Sequence, residues 1–269
     1  MSTSAAASDG FEVIQVKYGE RMTRKSVVLN DYFAYGEPDG DLHMEYNFWI
    51  FRRDGATILL DTGYDIPARD WLGELPVKAT PDGLALLGID PGDVSMVITS
   101  HFHYDHIGYL GLFANAEVVS GAAEYDYWFG KWRRGELAGE FTTESDLTVV
   151  ETAEREGRLR LIATPTEIAA GLTVYPVGGH CPGELLTLVR SRSQPLIMAV
   201  DAAHFYEQIE HEWPFFAFTS LTEMRAALSF MNKLAAEQGA TIVPGHDGRV
   251  RQRYPALPGP AAEIATVLG

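Results

Sequence analysis

The sequence predicts an α/β (α+β) chain in which two β-sheets carry helices on their outer faces. Three observations lead there. Strand-like runs fall into two groups, each closing on helical material, and together they exceed what one sheet holds comfortably. Runs such as "VSMVIT" and "PLIMAV" are apolar almost throughout, as strands buried on both faces are. The stretch "SLTEMRAALSFMNKLAAEQG" has one apolar face, so it needs a layer to pack on.

In chain order, "FEVIQVKYG" and "KSVVLND" read as early strands, rich in β-branched and aromatic residues. "EYNFWIFRR" and "TILLDTG" flank Asp54-Gly55, a dipeptide that favours a tight turn, so they read as a hairpin. "TPDGLALLG" is a helix begun by Pro81, and "VSMVIT" the buried strand after it. "AEVVSG", "LTVYPVGG", "ELLTLVRS" and "PLIMAVDAA" read as further strands. In the long helix, Met224, Ala227, Leu228, Met231, Leu234 and Ala235 follow the 3.6-residue period. Ser220 with Glu223 forms its capping box, and Gly239 stops it.

The chain has 269 residues, 46% of them hydrophobic, enough for one sizeable core, and a single domain is expected over 11–269. "MSTSAAASDG", residues 1–10, lacks the basic start and apolar stretch of an export signal and reads as a disordered leader, so a cytoplasmic location is expected. No apolar run approaches the roughly 18 to 20 residues of a membrane span. With 37 acidic against 21 basic residues the net charge is −16, which repels nucleic acid and anionic membranes. A single cysteine, Cys181, excludes an internal disulfide framework and a Cys-rich zinc module, leaving nitrogen and oxygen to hold any metal.

Chemistry concentrates at strand ends. "VSMVIT" runs into Ser100 and the cluster His101, His103, Asp105 and His106, "LTVYPV" into Gly178-Gly179-His180, "LIMAV" into Asp201, "ATIV" into Pro244-Gly245-His246, and "ILLDTG" carries Asp61. Ligands collect outside the carboxyl ends of strands, so these loops are expected to converge. In an extended segment His101, His103 and Asp105 share a face, and a turn at Asp105 brings His106 alongside. Six or seven nitrogen and oxygen donors exceed one tetrahedral zinc and suit two ions about 3.5 to 4 Å apart.

"HFHYDH" matches the His-x-His-x-Asp-His signature of the metallo-β-lactamase superfamily, and "LLDTG", "GGH", "AVDAA" and "PGH" follow in that family's order, so the chain resembles it from about Asn47 to Asp247. The resemblance implies a four-layer αβ/βα sandwich of two mixed β-sheets and two Zn2+ per chain, with Mn2+, Fe2+ or Co2+ as alternatives. It places His101, His103 and His180 on one metal, Asp105, His106 and His246 on the other, Asp201 between them, and Asp61 behind the metal loop. Asp105-His106 in place of a cysteine-bearing site argues against an antibiotic-degrading β-lactamase. His103, where oxygen-reducing members carry glutamate, argues against redox chemistry. The segment "TPDGLALLGIDPGDVSMVITSHFHYDHIG" is most similar to the branch of N-acyl-homoserine lactonases and pyridoxolactonase.

The expected function is therefore opening of a small cyclic ester, an N-acyl-homoserine lactone or another lactone, with quorum quenching as its biological setting. Hydrolysis of a cyclic amide, thioester or phosphodiester stays open, as does a metal-stabilised binding protein without turnover. Zinc brings the pKa of bound water to about 7, Asp105 would protonate the leaving group, and His204, where the lactonases carry tyrosine, would donate to the oxyanion. Tyr104, Phe141, Phe205 and Tyr206 are the pocket candidates, Tyr206 and Tyr104 also being substitute donors. "GAAEYDYWFGKWRRGELAGEF", Gly121 to Phe141, reads as a helix packed on the core or at a homodimer contact, or as a lid offering Lys131, Arg133 or Arg134 to substrate. "HEWPFFAF" is a second apolar loop, and His43 and His211 are expected to bind no metal.

Overall fold

The computed structural model describes residues 10–65 and 78–269. Of the leader expected over 1–10, residues 1–9 lie outside the described residues, and Gly10 is buried. The elements are β1 (Glu12–Arg24), α1 (Lys25–Val28), β2 (Asp41–Arg53), β3 (Ala56–Leu60), α2 (Thr80–Leu86), β4 (Val94–Ile98), α3 (Tyr104–Ile107), β5 (Glu117–Gly121), α4 (Ala122–Arg133) and α5 (Glu144–Arg155). There follow β6 (Leu159–Ile162), β7 (Thr166–Ala169), β8 (Leu172–Val177), β9 (Glu184–Arg190), β10 (Pro195–Val200), α6 (Tyr206–His211), α7 (Leu221–Gln238), β11 (Thr241–Pro244), α8 (Val250–Arg253) and β12 (Ala265–Val267).

One sheet has the order β12-β1-β2-β3-β4-β5-β6 and the other β11-β10-β9-β8-β7. Both are mixed: β3 to β6 pair in parallel and the rest of the first sheet antiparallel, while in the second only β10 and β11 pair in parallel. Alternation along each strand sorts side chains into layers. In β2, Trp49 and Phe51 enter the core between the sheets, whereas Phe48 and Ile50 face the helical layer over the first sheet. In β10, Leu196, Met198 and Val200 point between the sheets, and Ile197 and Ala199 point to Leu228, Met231 and Leu234 of α7. This is the four-layer αβ/βα sandwich. None of the described helices is long and apolar enough to cross a membrane.

Local signals act where expected. Asp54 (φ 53°) and Gly55 (φ 82°) turn the β2–β3 hairpin, which suits a left-handed pair. Ser220 caps α7 by accepting from the Glu223 N–H, and Gly239 ends it at φ 61°. One expectation is corrected. "KSVVLND" is not a strand: its start is the short helix α1, because Asp39 accepts from both the N–H and hydroxyl of Ser26 and from Arg24. That carboxylate turns the chain just after β1, and only Leu29 returns to a single bridge, with Phe215.

Candidate metal centre

Five strand ends meet at one edge of the sandwich. β3 delivers Asp61 (φ 63°), β4 delivers Ser100 to His103, β8 delivers His180, β10 delivers Asp201 after Val200 at φ 47°, and β11 delivers His246. Two glycines make the crowding tolerable. A Cβ on Gly245 would lie 2.3 Å from the Val200 carbonyl oxygen, and one on Gly179 (φ 125°) would lie 2.4 Å from Met224 Cα. The histidine loop differs from the expected extended form. A helical turn, α3, begins at Tyr104 rather than at Asp105, so Asp105 and His106 sit on a helix while His101 and His103 precede it.

The outer nitrogen of each of five histidines is anchored, and the anchors fix the tautomers. Asp61 accepts from the Ser100 N–H at 2.7 Å, the Ser100 hydroxyl at 2.8 Å and His106 Nδ1 at 2.8 Å. With the Ser100 hydroxyl proton so committed, His101 Nδ1–H donates to Ser100 Oγ at 2.9 Å. His180 Nδ1 donates to the Ala217 carbonyl at 2.9 Å, His246 Nδ1 to the Glu45 carbonyl at 2.7 Å, and His103 Nε2 to Cys181 Sγ at 3.3 Å. The remaining nitrogens all carry lone pairs into one space. His101 Nε2 and His106 Nε2 are buried without a hydrogen-bond partner, and His103 Nδ1 lies 3.0 Å from His180 Nε2, two acceptors facing each other. Such an arrangement repels unless a cation lies among the lone pairs, so these residues fit a metal.

Asp201 divides the donors. Its Oδ2 faces His180 Nε2 at 3.2 Å and His101 Nε2 at 3.8 Å, and its Oδ1 faces His246 Nε2 at 2.9 Å and His106 Nε2 at 3.4 Å. Asp105 Oδ2 stands 3.6 Å from His106 Nε2 on the second side. His204 behaves differently from the other five. Its inner Nε2 lies 3.0 Å from Asp201 Oδ2, its Nδ1 is buried without a partner, and its ring stacks on Phe215 at 3.5 Å.

Burial opposes charge throughout this cluster and decides most of its titration. Burial, with neighbouring imidazoles, holds His101 and His103 well below the ordinary histidine range, and burial pushes His204 down to about 3. For His106 burial acts downward too, but Asp201, Asp105 and Asp61 outweigh it and raise the ring well above that range, so His106 Nε2 presents its lone pair to a cation only by giving up a proton to it. Asp201 goes the other way from an ordinary buried carboxyl, because His204, His106 and His246 overcome burial and hold it ionised.

Beneath the cluster, burial raises the Glu124 carboxyl to about 7, although its Oε1 accepts from the Phe102 N–H at 2.8 Å and Trp128 Nε1 at 2.6 Å. A carboxyl raised in the folded state adds stability below its unfolded value of 4.5, and this is lost as pH rises through about 7. For the metal-free protein, the melting temperature of the parent minus that of Glu124→Gln should therefore fall from about pH 5 to about pH 8. A difference that stays constant across that range would show that Glu124 ionises normally. A second outer position gives a second expectation. Asp61→Asn should weaken metal binding by about 10- to 100-fold in a chelator competition, because three donors, the Ser100 N–H and hydroxyl and His106 Nδ1–H, then meet one acceptor oxygen and an NH2 donor in place of two acceptor oxygens.

A cavity of about 170 Å3 opens over the cluster, lined on one side of the chain by Tyr104 and Phe141 and on the other by Phe215, Phe216 and Ala217. His103, Asp105, His180, Asp201, His204 and His246 all border it. Two expected pocket residues do not. Phe205 is fully buried in the core beside Phe215, and Tyr206 starts α6 facing the inter-sheet core, its ring under Arg253 at 3.6 Å. Both turn inward because the chain begins a helix directly after the strand-end loop. The proposed lid is a packed helix, α4, whose cations are engaged elsewhere: Lys131 with Glu140 at 2.5 Å, Arg134 with Glu136 at 2.8 Å, and Arg133 over the Phe129 ring. His211 stacks on Trp213, and His43 pairs with Glu20 at 3.0 Å, both away from the cavity.

Four side chains at the site carry no signal in the motifs. Arg21, Met44 and Tyr46 line the cavity from β1 and β2, where only the pairing of Arg21 with Met44 across the strands shows that they are neighbours. Cys181 lies against His103, a placement its position next to His180 could have suggested.

The family model described as Metallo-beta-lactamase superfamily matches residues 44–246. The N-acyl homoserine lactonase AttM of Azorhizobium caulinodans is 30% identical over 246 residues, 81% of this chain and 88% of the relative. The protein of the same name from Rhizobium radiobacter is 29% identical over 236 residues, 77% of this chain and 83% of the relative. Among solved structures, a quorum-quenching N-acyl homoserine lactone lactonase superposes with a TM-score of 0.73 at 21% identity, covering 91% of this chain and 95% of that one. An N-acyl homoserine lactone hydrolase with its product N-hexanoyl-L-homoserine at the catalytic metal center gives 0.72 at 20% identity, covering 91% and 96%.

Proposed function

The chain belongs to the metallo-beta-lactamase superfamily, and from that premise we propose that it is a dinuclear metal-dependent hydrolase that opens the ring of a small lactone. The observation that carries this reading is the set of inward lone pairs, above all the buried and unpartnered His101 Nε2 and His106 Nε2. His101, His103 and His180 would hold one ion, Asp105, His106 and His246 the other, and Asp201 would span them with its two oxygens. Zinc is the proposed metal, suited by nitrogen and carboxylate donors, and would supply hydroxide at neutral pH and polarise the ester carbonyl. N-acyl homoserine lactones are the first substrates to test, since the relatives bear that activity in their names.

The chain's own groups account for the rest. Asp105 borders the cavity and would carry the proton to the leaving alkoxide, which becomes the hydroxyl of the ring-opened acid. His204, whose Nε2 lies 3.0 Å from Asp201 Oδ2, would share Nε2–H between that oxygen and the oxyanion in place of the tyrosine of similar lactonases, and its stacking on Phe215 fixes the ring. Phe141, Phe215 and Phe216 would shield the ester from bulk water. The test is proton release from a panel of lactones by zinc-loaded protein, set beside a cyclic amide, a thioester and a phosphodiester. Turnover of any of these last three with none of the lactones would overturn the reading.

A further inference from the structure

Among the described residues, Arg21 is the one arginine or lysine that borders the cavity, and no carboxylate pairs with it. Lys17, Arg24 and Lys25, its neighbours along β1 and its end, each hold a carboxylate, Lys17 with Glu20 at 2.6 Å, Arg24 with Asp39 at 2.6 Å and Lys25 with Glu207 at 3.0 Å. Arg21, between them, has no carboxylate partner among the described residues, in a chain with an excess of acids. Its Nη2 donates to Met44 Sδ at 3.5 Å, a weak acceptor, and its other side-chain partner is the neutral Tyr46 hydroxyl, so no anion meets the guanidinium. Its Nε is buried with no partner at all. The side chain is half-buried and borders the same cavity as Asp105, Asp201 and His204, so a small molecule held at the cluster lies within its reach.

A guanidinium desolvated at one nitrogen and facing a cavity is a receptor for a planar oxyanion, since its fork of N–H groups matches a carboxylate bidentately. An acyl chain would leave that fork unsatisfied. Resting on the lactonase reading, we infer that Arg21 binds a carboxylate carried by the substrate itself, so that the preferred substrate is an anionic lactone. This carboxylate is present before hydrolysis and is distinct from the one that ring opening creates. The residue acts on specificity, and the reacting atoms lie elsewhere.

The inference is tested with a γ-butyrolactone bearing a carboxylate on its γ carbon, which opens to 2-hydroxyglutarate, and with its primary amide, which has the same shape and no charge. The zinc-loaded parent should favour the carboxylate by about 10- to 100-fold in kcat/KM, the range of a charge-assisted hydrogen-bonded pair. In Arg21→Ala the ratio of the two should collapse toward one, chiefly through KM, and Arg21→Lys should restore part of it. Equal kcat/KM for the two lactones in the parent, or an unchanged ratio in Arg21→Ala, would overturn the inference while leaving lactone hydrolysis in place. Binding of hydroxyglutarate, the ring-opened acid, by calorimetry keeps the two readings apart. Arg21-dependent binding without opening of either lactone supports the anion site and counts against the lactonase. If Arg21→Ala is poorly folded, the calorimetric comparison of the parent with Arg21→Lys and Arg21→Gln decides: hydroxyglutarate bound equally by all three sinks the site.

Discussion

Replacing Asp201 with alanine is expected to remove metal from both halves of the centre together and to lower kcat/KM by about a thousandfold or more, the scale seen when groups acting as a unit lose a member. The two carboxylate oxygens face different histidine sets, Oδ2 toward His180 and His101 and Oδ1 toward His246 and His106, so one substitution reaches both. His106→Ala, by contrast, should empty mainly one site. Elemental analysis of the purified variants decides. Equal metal content in Asp201→Ala and the parent would take Asp201 out of the bridge, and one metal per chain in a carefully loaded parent would sink the dinuclear reading. Metal content should also couple to folding, because repelling lone pairs such as those of His103 and His180 have no other partner. The chelated protein should melt at a lower temperature than the loaded one.

Substituting His204 with alanine should lower kcat by on the order of a hundredfold while the metals stay bound, since loss of one oxyanion donor has that scale. The tautomer pattern is the reason for separating this residue from the ligands. Five histidines anchor the outer nitrogen and turn a lone pair inward, whereas His204 turns Nε2 toward Asp201 Oδ2 and leaves Nδ1 buried and unpartnered. Burial keeps the ring neutral, so the donor function should be independent of pH across the neutral range. His204→Tyr keeps a side-chain donor at the same position and should recover much of the turnover. Loss of one metal in His204→Ala would instead make it a ligand, and parent-like kcat and KM would make it a packing residue against Phe215.

Much of the candidate centre was readable along the chain because the proposed ligands are local to strand ends. His101 to His106 lie within six consecutive residues after β4, and His180, Asp201 and His246 each follow an apolar run, so periodicity and glycines suffice to mark them. The wall of the cavity was not readable in that way. Phe205 and Tyr206 stand next to the site in sequence and point into the core, while Phe215 and Phe216, about ten residues further on, border the cavity. "KSVVLND" has the composition of a strand, and a carboxylate fifteen residues from Arg24 turns it into a helix.

By itself the sequence determined the layers and the donors: alternation of apolar residues commits strands to two buried faces, and histidine next to a glycine-marked strand end commits a side chain to the sheet edge. Only the tertiary structure decided which nitrogen each imidazole turns inward, since that depends on acceptors as remote as Ala217 for His180 and Glu45 for His246. It likewise decided that Arg21, remote in sequence from every residue of the motif, stands at the cavity, because β1 pairs with β2 in a register that sets Arg21 beside Met44. Side-chain direction within an element follows from local geometry, but hydrogen-bond partners and cavity walls depend on how distant elements pack, and no single stretch of chain contains that information.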